Sequence, residues 1–417
     1  MKRIILGISL AFSLCMQAQT FDVDMTKPVP AYTEEAGYGI DDVISRVCNG
    51  QSEDGANSQY ISFLVPDGNY TVTMVIGSKK KAASTTVRAE NRRLYIHDLK
   101  TSKKQMETVS FVVNKRTPQI DDKTKVGIKD REKLYLTWDN LLTLEITGDA
   151  PAVQSIHVER NDKCPTVFLC GNSTVVDQSF EPWASWGQMI PVWFDENVAI
   201  SNHAESGLAT FSFLSSRRLD KILSMMKPGD YVIVEFGHND EKDKRPGRGA
   251  WYNFSYGLKV FIDQVRDKGG NIILCTPTMR RSWEKDNRTI ANTHGDFPAA
   301  VRAVAERENV PLIDLTEMSK TFFETLGFED SKRALVHYPA GTFKGQTNAF
   351  ADNTHFNPFG AYEVAKMIVM GLKQTNSPLI QNLRPGWTDF NPSQPDDWNT
   401  FHWTPSPMTE FIKPDGN

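Results

Sequence analysis

The sequence predicts an α/β fold with a parallel sheet, preceded by an all-β sandwich of the jelly-roll type. From residue 166 onward, short apolar runs alternate with stretches of helical length, which is the pattern of a parallel sheet covered on both faces. Between residues 21 and 160, strand-like runs are separated by turn residues and lack a helical period, as in sandwiches and jelly rolls. The 417 residues are enough for two domains with their own cores.

The first eighteen residues have the pattern of a secretory signal peptide. Residues 2–3 are basic, residues 4–14 are apolar, and residues 16–18 form a cleavage site. The apolar run is too short to anchor the chain in a bilayer. Cys15 raises the question of lipid attachment, but the residue before it is the bulky Leu14, where lipid attachment generally requires a small side chain. We therefore expect a soluble exported protein, periplasmic or extracellular.

The predicted sandwich spans residues 19–160. Residues 60–76 are expected to form a strand, a Pro-Asp-Gly turn and a second strand. The remaining predicted strands of this part are residues 85–90, 92–96, 107–113, 141–147 and 155–159.

The predicted α/β domain spans residues 161–383 and begins with a linker at 161–165. Its predicted strands are residues 166–170, 197–201, 231–236, 271–275 and 310–314, and its predicted helices are residues 211–226, 253–268, 297–308, 315–326 and 358–373. Residues 384–417 are rich in Pro, Asp and Trp, which predicts an irregular tail. In such folds the functional groups collect on loops beyond the carboxyl ends of the strands.

Composition excludes several classes of partner. The net charge is −4 and no long Lys/Arg run is present, which disfavours nucleic acid or an anionic membrane as a partner. No ligand spacing resembles a zinc site, so neither a metal nor another cofactor is predicted, and nothing indicates an oligomeric state. Cys170 and Cys275 lie in apolar runs and are expected to be buried thiols, while a Cys164–Cys170 disulfide remains an open alternative.

Four short motifs supply the residue types that acyl transfer needs. They are residues 171–174, 202–207, 237–240 and 352–355, and the first contains Ser173 two residues beyond a predicted buried strand. A serine at such a turn can expose its hydroxyl as a nucleophile, and its N–H can face a developing oxyanion. Taken alone, the motif fits a helix cap or a turn serine better.

The last motif offers a base and a carboxylate on one loop. Asp352 lies three residues before His355, so the carboxylate can accept from Nδ1–H and leave Nε2 free to take the serine proton. An aspartate that caps the next helix, with an unrelated histidine beside it, explains the same residues equally well. The order Ser, Asp, His without Gly-x-Ser-x-Gly disfavours the usual α/β-hydrolase elbow.

The two middle motifs offer oxyanion donors. The side-chain amide of Asn239 and the backbone N–H of Gly207 could join the Ser173 N–H, although Gly and Asn are also common turn residues. Four neighbouring polar residues are expected to be structural, namely His203, His238, Glu235 and Asp240.

Together these motifs resemble those of the SGNH (GDSL-type) hydrolases and, within them, the rhamnogalacturonan acetylesterase family. The matching stretches are residues 167–177, 181–188, 202–207, 235–240 and 352–360. The resemblance implies a flavodoxin-like three-layer α/β/α fold without a metal. It also implies that Ser173 is the nucleophile, that Asp352 and His355 complete the triad, and that Ser173, Gly207 and Asn239 form the oxyanion hole.

One residue departs from the family pattern. The family usually has Asp where this chain has Asn172, which keeps one acceptor oxygen but loses the charge, so we expect activity to survive. The N-terminal part is similar in architecture to the galactose-binding-like sandwiches that accompany such esterases.

The function expected from the resemblance is that of an exported carbohydrate O-acetylesterase acting on pectin, in particular on rhamnogalacturonan. Its partner would be an acetylated polysaccharide or oligosaccharide. Trp183 and Trp186 could stack on a sugar ring, and Arg280 and Arg281 could bind a uronate, although core packing and solvation explain such residues at least as often. The alternatives are an esterase for another acetylated glycan, such as xylan, and a carbohydrate-binding protein that has lost catalysis.

Overall fold

The computed structural model describes residues 20–47 and 58–415. The predicted signal peptide, Cys15 and Cys48 lie outside the described residues. None of the described helices is long and apolar enough to cross a membrane.

The N-terminal part is built from two facing antiparallel layers. Its elements are β1 (Phe21–Asp24), β2 (Tyr38–Ile40), α1 (Val43–Val47), β3 (Gln59–Leu64), β4 (Gly68–Gly77), β5 (Ala83–Ala89), β6 (Arg93–Thr101), β7 (Met106–Lys115), β8 (Leu141–Ala150) and β9 (Val153–Arg160). One layer has the order β2-β3-β8-β5-β6, and the other has the order β1-β9-β4-β7. The buried side chains of both layers, such as Phe63 and Phe111, form one core.

The predicted strands of this part are all present, with small changes in their ends. The strands on either side of the Pro-Asp-Gly turn do not pair with each other, because β3 pairs with β2 and β8 whereas β4 pairs with β7 and β9. The turn therefore carries the chain from one layer to the other. β1 and β2 were not predicted, since three or four residues are too few to show a period.

The C-terminal part is a three-layer α/β/α domain. Its strands are β10 (Thr166–Cys170), β11 (Ala199–Asn202), β12 (Tyr231–Glu235), β13 (Asn271–Cys275), β14 (Leu312–Ile313), β15 (Leu335–Tyr338) and β16 (Phe350–Phe356). Its helices are α2 (Trp186–Met189), α3 (Thr210–Ser215), α4 (Arg218–Met225), α5 (Ser255–Asp267), α6 (Phe297–Arg307), α7 (Leu315–Asp330) and α8 (Pro358–Gln374). The order β11-β10-β12-β13-β14 is parallel throughout.

Alternation along the strands explains why both faces of this sheet carry helices. Val167 and Leu169 of β10 pack into the core that contains α8, while Phe168 and Cys170 pack into the core that contains α5. Consecutive apolar residues on one strand therefore pack into two cores, one on each face of the sheet.

Three differences from the predicted elements have local causes. The predicted helix over residues 211–226 is broken at Arg217, which has a left-handed φ of 62°. The predicted strand over residues 310–314 shortens to Leu312–Ile313. β15 and β16 form a separate antiparallel pair that lacks a continuous apolar run and was not predicted.

The two parts share a single sheet. β7 of the N-terminal part pairs in parallel with β11, matching Val112 with Ala199 and Val113 with Ile200. The resulting nine-stranded sheet runs β1-β9-β4-β7-β11-β10-β12-β13-β14. Strands from both sides of residues 161–165 therefore belong to one sheet. The division of the chain into separate domains at these residues stays a prediction.

The tail and the cysteines agree with expectation. Residues 384–415 contain no strand or helix beyond an isolated bridge at Thr409, and they contact both parts, since His402 meets His97 and Trp403 donates to Glu181. Cys164, Cys170 and Cys275 are buried free thiols, so the alternative of a Cys164–Cys170 disulfide is not found.

Candidate active site

The turn that carries Ser173 is fixed by close packing and by a hydrogen bond within the turn. A Cβ on Gly171 would lie 2.4 Å from Cγ2 of Val175, so only glycine fits directly after β10. Asn172 is buried, and its Oδ1 accepts a hydrogen bond of 3.1 Å from the N–H of Thr174. The Asn172 side chain thus supplies the acceptor expected of it, and its amide nitrogen has no partner among the described residues.

Ser173, His355 and Asp352 form a continuous chain of hydrogen bonds. His355 Nε2 lies 2.8 Å from Ser173 Oγ, and His355 Nδ1 lies 2.7 Å from Asp352 Oδ2. All three side chains are buried. They meet although 182 positions separate the serine from the histidine. The structure therefore brings the three predicted residues together, and their catalytic roles stay a prediction.

Asp352 is held as a carboxylate. Burial alone would raise its pKa, but the hydrogen bond and charge of His355, together with two backbone N–H groups, hold the pKa of Asp352 well below its usual range. Those backbone donors are the N–H groups of Thr354 and His355, at 2.9 and 3.0 Å. Asp352 does not cap α8, because Asn357 Oδ1 accepts from the N–H of Gly360 in that role. The helix-cap alternative is wrong.

The predicted oxyanion donors lie on loops that contact the serine turn. The N–H of Glu205 donates to the carbonyl of Gly171 at 3.3 Å, which places the loop before Gly207 beside the nucleophile turn. Gly207 has a φ of 82°, a conformation that favours glycine. Within the described residues, neither the Ser173 N–H nor the Gly207 N–H donates to another protein group, and their role as oxyanion donors stays a prediction.

Both polar atoms of the Asn239 side-chain amide form hydrogen bonds. Its Nδ2 donates to the carbonyl of Leu208 at 3.0 Å, and its Oδ1 accepts from Nζ of Lys242 at 3.1 Å. An amide nitrogen carries two hydrogens, so one N–H remains for an oxyanion. The structure thus ties Asn239 to the loop of Gly207, while its role in catalysis stays a prediction.

The residues expected to be structural are buried in polar networks. Glu235 accepts from Trp186, Thr174 and Thr278, and Asp240 accepts from Thr210. Both carboxylates therefore join loops, as predicted.

The two histidines that were expected to be structural differ from each other. His203 contacts the hydroxyl of Ser201 at 2.9 Å and has a structural role. Burial and the nearby charges of His294 and Arg280 hold the pKa of His238 well below its usual range, so its ring is neutral. Both ring nitrogens of His238 lack a partner among the described residues.

Two of the four predicted substrate contacts are corrected by the structure. Trp186 is 0% exposed and its indole N–H donates to Glu235, so it has no face for a sugar ring. Arg281 is buried and donates to Ser331 Oγ and to Asn353 Oδ1, so it supports the loop that carries the base. In both cases the side chain donates to protein acceptors in the interior and is not available to a substrate.

The structure leaves the other two predicted contacts as predictions. Trp183 is 2% exposed but lines a cavity of about 360 Å³, and its role stays a prediction. Arg280 is tied by a 2.6 Å ion pair to Glu241 and donates to the carbonyl of His238.

Sequence reasoning missed the contributions from the N-terminal part and the tail. Arg93 forms a buried ion pair of 2.9 Å with Asp177, just beyond the serine turn. Arg131 and Lys413 line the same cavity as Trp183, and Nζ of Lys413 lies 3.6 Å from Asp352. The residues in each of these contacts are far apart in the sequence, so no local motif predicts that they meet.

Comparison with known proteins assigns the family. The model of the GDSL-like lipase/acylhydrolase family matches residues 169–361. Rhamnogalacturonan acetylesterase RhgT of Bacillus subtilis (strain 168) is 37% identical over 219 residues, which are 52% of this chain and 93% of RhgT. The chain belongs to the GDSL-like lipase/acylhydrolase family. This GDSL-family protein is a serine esterase.

Another relative extends into the N-terminal part. The uncharacterized esterase YxiM of Bacillus subtilis (strain 168) is 26% identical over 365 residues, which are 82% of this GDSL-family chain and 85% of YxiM. The crystal structure of YxiM from Bacillus subtilis covers 86% of this chain and 99% of its own, with 22% identity and a TM-score of 0.48.

Proposed function

We propose that the protein is an exported carbohydrate O-acetylesterase that removes acetyl groups from pectin, with rhamnogalacturonan as its substrate. The observation that carries the proposal is the hydrogen-bonded chain from Asp352 through His355 to Ser173, at 2.7 and 2.8 Å. Binding a carbohydrate needs no such chain, whereas acyl transfer does. The substrate class is supported by the name of RhgT, a rhamnogalacturonan acetylesterase that is 37% identical.

The geometry supports a two-step acyl transfer. Ser173 Oγ attacks the acetyl carbonyl while its proton passes to His355 Nε2, and the imidazolium that forms is stabilised by the Asp352 carboxylate. Collapse of the tetrahedral intermediate breaks the ester bond. The proton then moves from Nε2 to the departing sugar hydroxyl, which leaves an acetylated serine.

Deacetylation repeats these steps with water. His355 takes a proton from the water as it attacks the acetyl-serine, and then returns that proton to Ser173 Oγ as acetate leaves. In both steps the charge that develops on the carbonyl oxygen would be stabilised by the N–H groups of Ser173, Gly207 and Asn239.

Two alternatives remain to be separated by experiment. An esterase for acetylated xylan would have the same triad, and a binding protein without activity is motivated only by Asn172. Acetate release should therefore be measured from acetylated rhamnogalacturonan, acetylated homogalacturonan and acetylated xylan, beside turnover of an aryl acetate. Ser173→Ala is the control for activity that does not come from this site.

The outcomes distinguish the three functions. Faster acetate release from rhamnogalacturonan than from xylan supports the proposal, and the reverse order supports the xylan esterase. An absence of turnover on every substrate, the aryl acetate included, would contradict an esterase. Export is tested by fractionation of cells that express the protein with or without residues 1–18.

A further inference from the structure

A second cavity lies beside the candidate active site, on the loop that follows Asn239. It has a volume of about 590 Å³, within the range of roughly 300–1,000 Å³ that is usual for small-ligand sites. Its lining includes Lys242, Lys244, Trp251 and Tyr252, and we call it the Lys244–Trp251 groove. The mechanism above uses none of the residues that line it.

The groove is connected to the catalytic loops by two direct contacts. Lys242 lines the groove and donates to Oδ1 of Asn239, the candidate oxyanion donor. Glu241, which also lines it, pairs at 2.6 Å with Arg280, and Arg280 donates to the carbonyl of His238. These contacts place the groove against the loop that carries His238 and Asn239.

The groove exposes aromatic rings that no protein group covers fully. Trp251 is 51% exposed and Tyr252 is 67% exposed, which is unusual for such large apolar side chains. The indole N–H of Trp251 donates to Asp296 at 3.0 Å, so the ring is held in place while part of its surface stays open. Fixed and exposed aromatic rings of this kind offer flat apolar surface for the face of a sugar.

The charge of the groove favours an anion. Lys242, Lys244 and Arg248 line it. These three cations outnumber the two lining carboxylates, Glu241 and Asp296, and the charge of Glu241 is paired with Arg280.

Lys244 is the cation best placed to meet a ligand. The adjacent Asp243 pairs with Arg245 and Arg248, and within the described residues Lys244 is exposed and has no carboxylate partner. Lysine and arginine in such a setting bind carboxylates.

We propose that the Lys244–Trp251 groove binds a uronate unit of an acidic glycan, adjacent to the unit that is deacetylated, and so selects acidic glycans over neutral ones. The preference for acidic glycans as substrates rests on the proposed function. Binding of an unacetylated uronate in the groove does not depend on it. Lys244 suits the carboxylate of a uronate, and the open ring of Trp251 suits its sugar face. A nucleic acid is the alternative that the oligothymidylate titration below tests.

Direct binding tests the groove without any need for catalysis. Trigalacturonate should bind to the Ser173→Ala protein in calorimetry, and xylotriose should bind more weakly. Lys244→Glu should weaken the binding of trigalacturonate about tenfold, since the charge that meets the carboxylate is reversed. Lys103→Glu is the matched control, because Lys103 is an exposed lysine on the turn between β6 and β7.

The aromatic contribution has its own matched pair. Tyr252→Ala should weaken binding, whereas Tyr256→Ala should not, because Tyr256 is 71% exposed but does not line the groove. Equal affinities for the Lys244 and Lys103 variants would overturn the proposal. So would tighter binding of a short oligothymidylate than of trigalacturonate.

Kinetics separates failure of the groove from failure of the proposed function. Lys244→Glu should raise KM for acetylated polyuronide about tenfold and leave aryl-acetate turnover unchanged. If the unaltered protein releases acetate from aryl acetate but not from pectin, the proposed substrate fails, and the trigalacturonate titration still decides whether the groove binds uronates.

Discussion

Replacing Asp352 with Asn tests the triad while keeping the shape of the loop. Oδ1 of the new side chain can still accept from the N–H groups of Thr354 and His355, which lie 2.9 and 3.0 Å from the present oxygen. The new amide nitrogen would face His355 Nδ1 across 2.7 Å. Because an amide nitrogen only donates, Nδ1 must then accept and the imidazole proton moves to Nε2. The ring could no longer take the proton of Ser173.

The expected loss in kcat for Asp352→Asn is about 10⁴-fold, or about 5.4 kcal/mol in the activation free energy, with little change in KM. The carboxylate stabilises an imidazolium that exists only around the transition state, so ground-state binding is not affected. The assay is steady-state hydrolysis of an aryl acetate, with thermal melts of both proteins as a control for folding. A variant with normal kcat and a lower melting temperature would refute the triad.

The lowered pKa of Asp352 gives the same variant a pH signature. A carboxyl group whose pKa is depressed in the folded state stabilises the fold above its unfolded pKa of about 3.9, and that stabilisation is lost as the pH falls through the folded value. Stability of the unaltered protein should therefore fall more steeply below about pH 4 than stability of Asp352→Asn. Parallel acid-unfolding curves would contradict the assignment.

Three further changes probe other parts of the site. Ser173→Ala should lower aryl-acetate turnover by about 10⁴-fold or more while the free energy of unfolding stays within about 1 kcal/mol, and retained activity would disprove the nucleophile. Asn172→Asp should change kcat/KM by less than about tenfold, and a much larger gain would identify a weakened esterase. Arg93→Met should cost about 3–5 kcal/mol in urea unfolding, because it leaves Asp177 buried without its ion-pair partner, and a cost below about 1 kcal/mol would show that the pair is dispensable.

The parts of the fold that the sequence predicted are those with strong local signals. The strand over residues 166–170 and the helix that begins at Pro358 were predicted correctly, because a continuous apolar run and a proline-led stretch of helical length are visible in a short window. The pairing of β7 with β11 was not predictable, since neither strand carries a sign of its partner. β16, which holds Asp352 and His355, was missed because its polar residues hide its extended backbone.

In the candidate site, the sequence predicted which residue types take part but not how deeply each side chain is buried. Ser173, Asp352 and His355 were singled out because acyl transfer requires those side chains. Trp186 and Arg281 were also chosen by residue type, but in the structure they are not available to a substrate. The Trp186 indole donates to Glu235, and the Arg281 guanidinium donates to Asn353. Burial of a particular tryptophan or arginine depends on contacts distant in sequence, which one chain alone does not reveal.

The sheet shared by the two parts has a consequence for protein engineering. A fragment that begins at Asn161 would leave β11 as an open edge, with the backbone groups of Ala199 and Ile200 deprived of β7. Unprotected strand edges recruit further chains, so such a fragment should aggregate. Exchange of the sandwich for an unrelated sugar-binding module would meet the same obstacle. The hydrolase half could be grafted elsewhere only after its β11 edge had been redesigned with charges or a bulge.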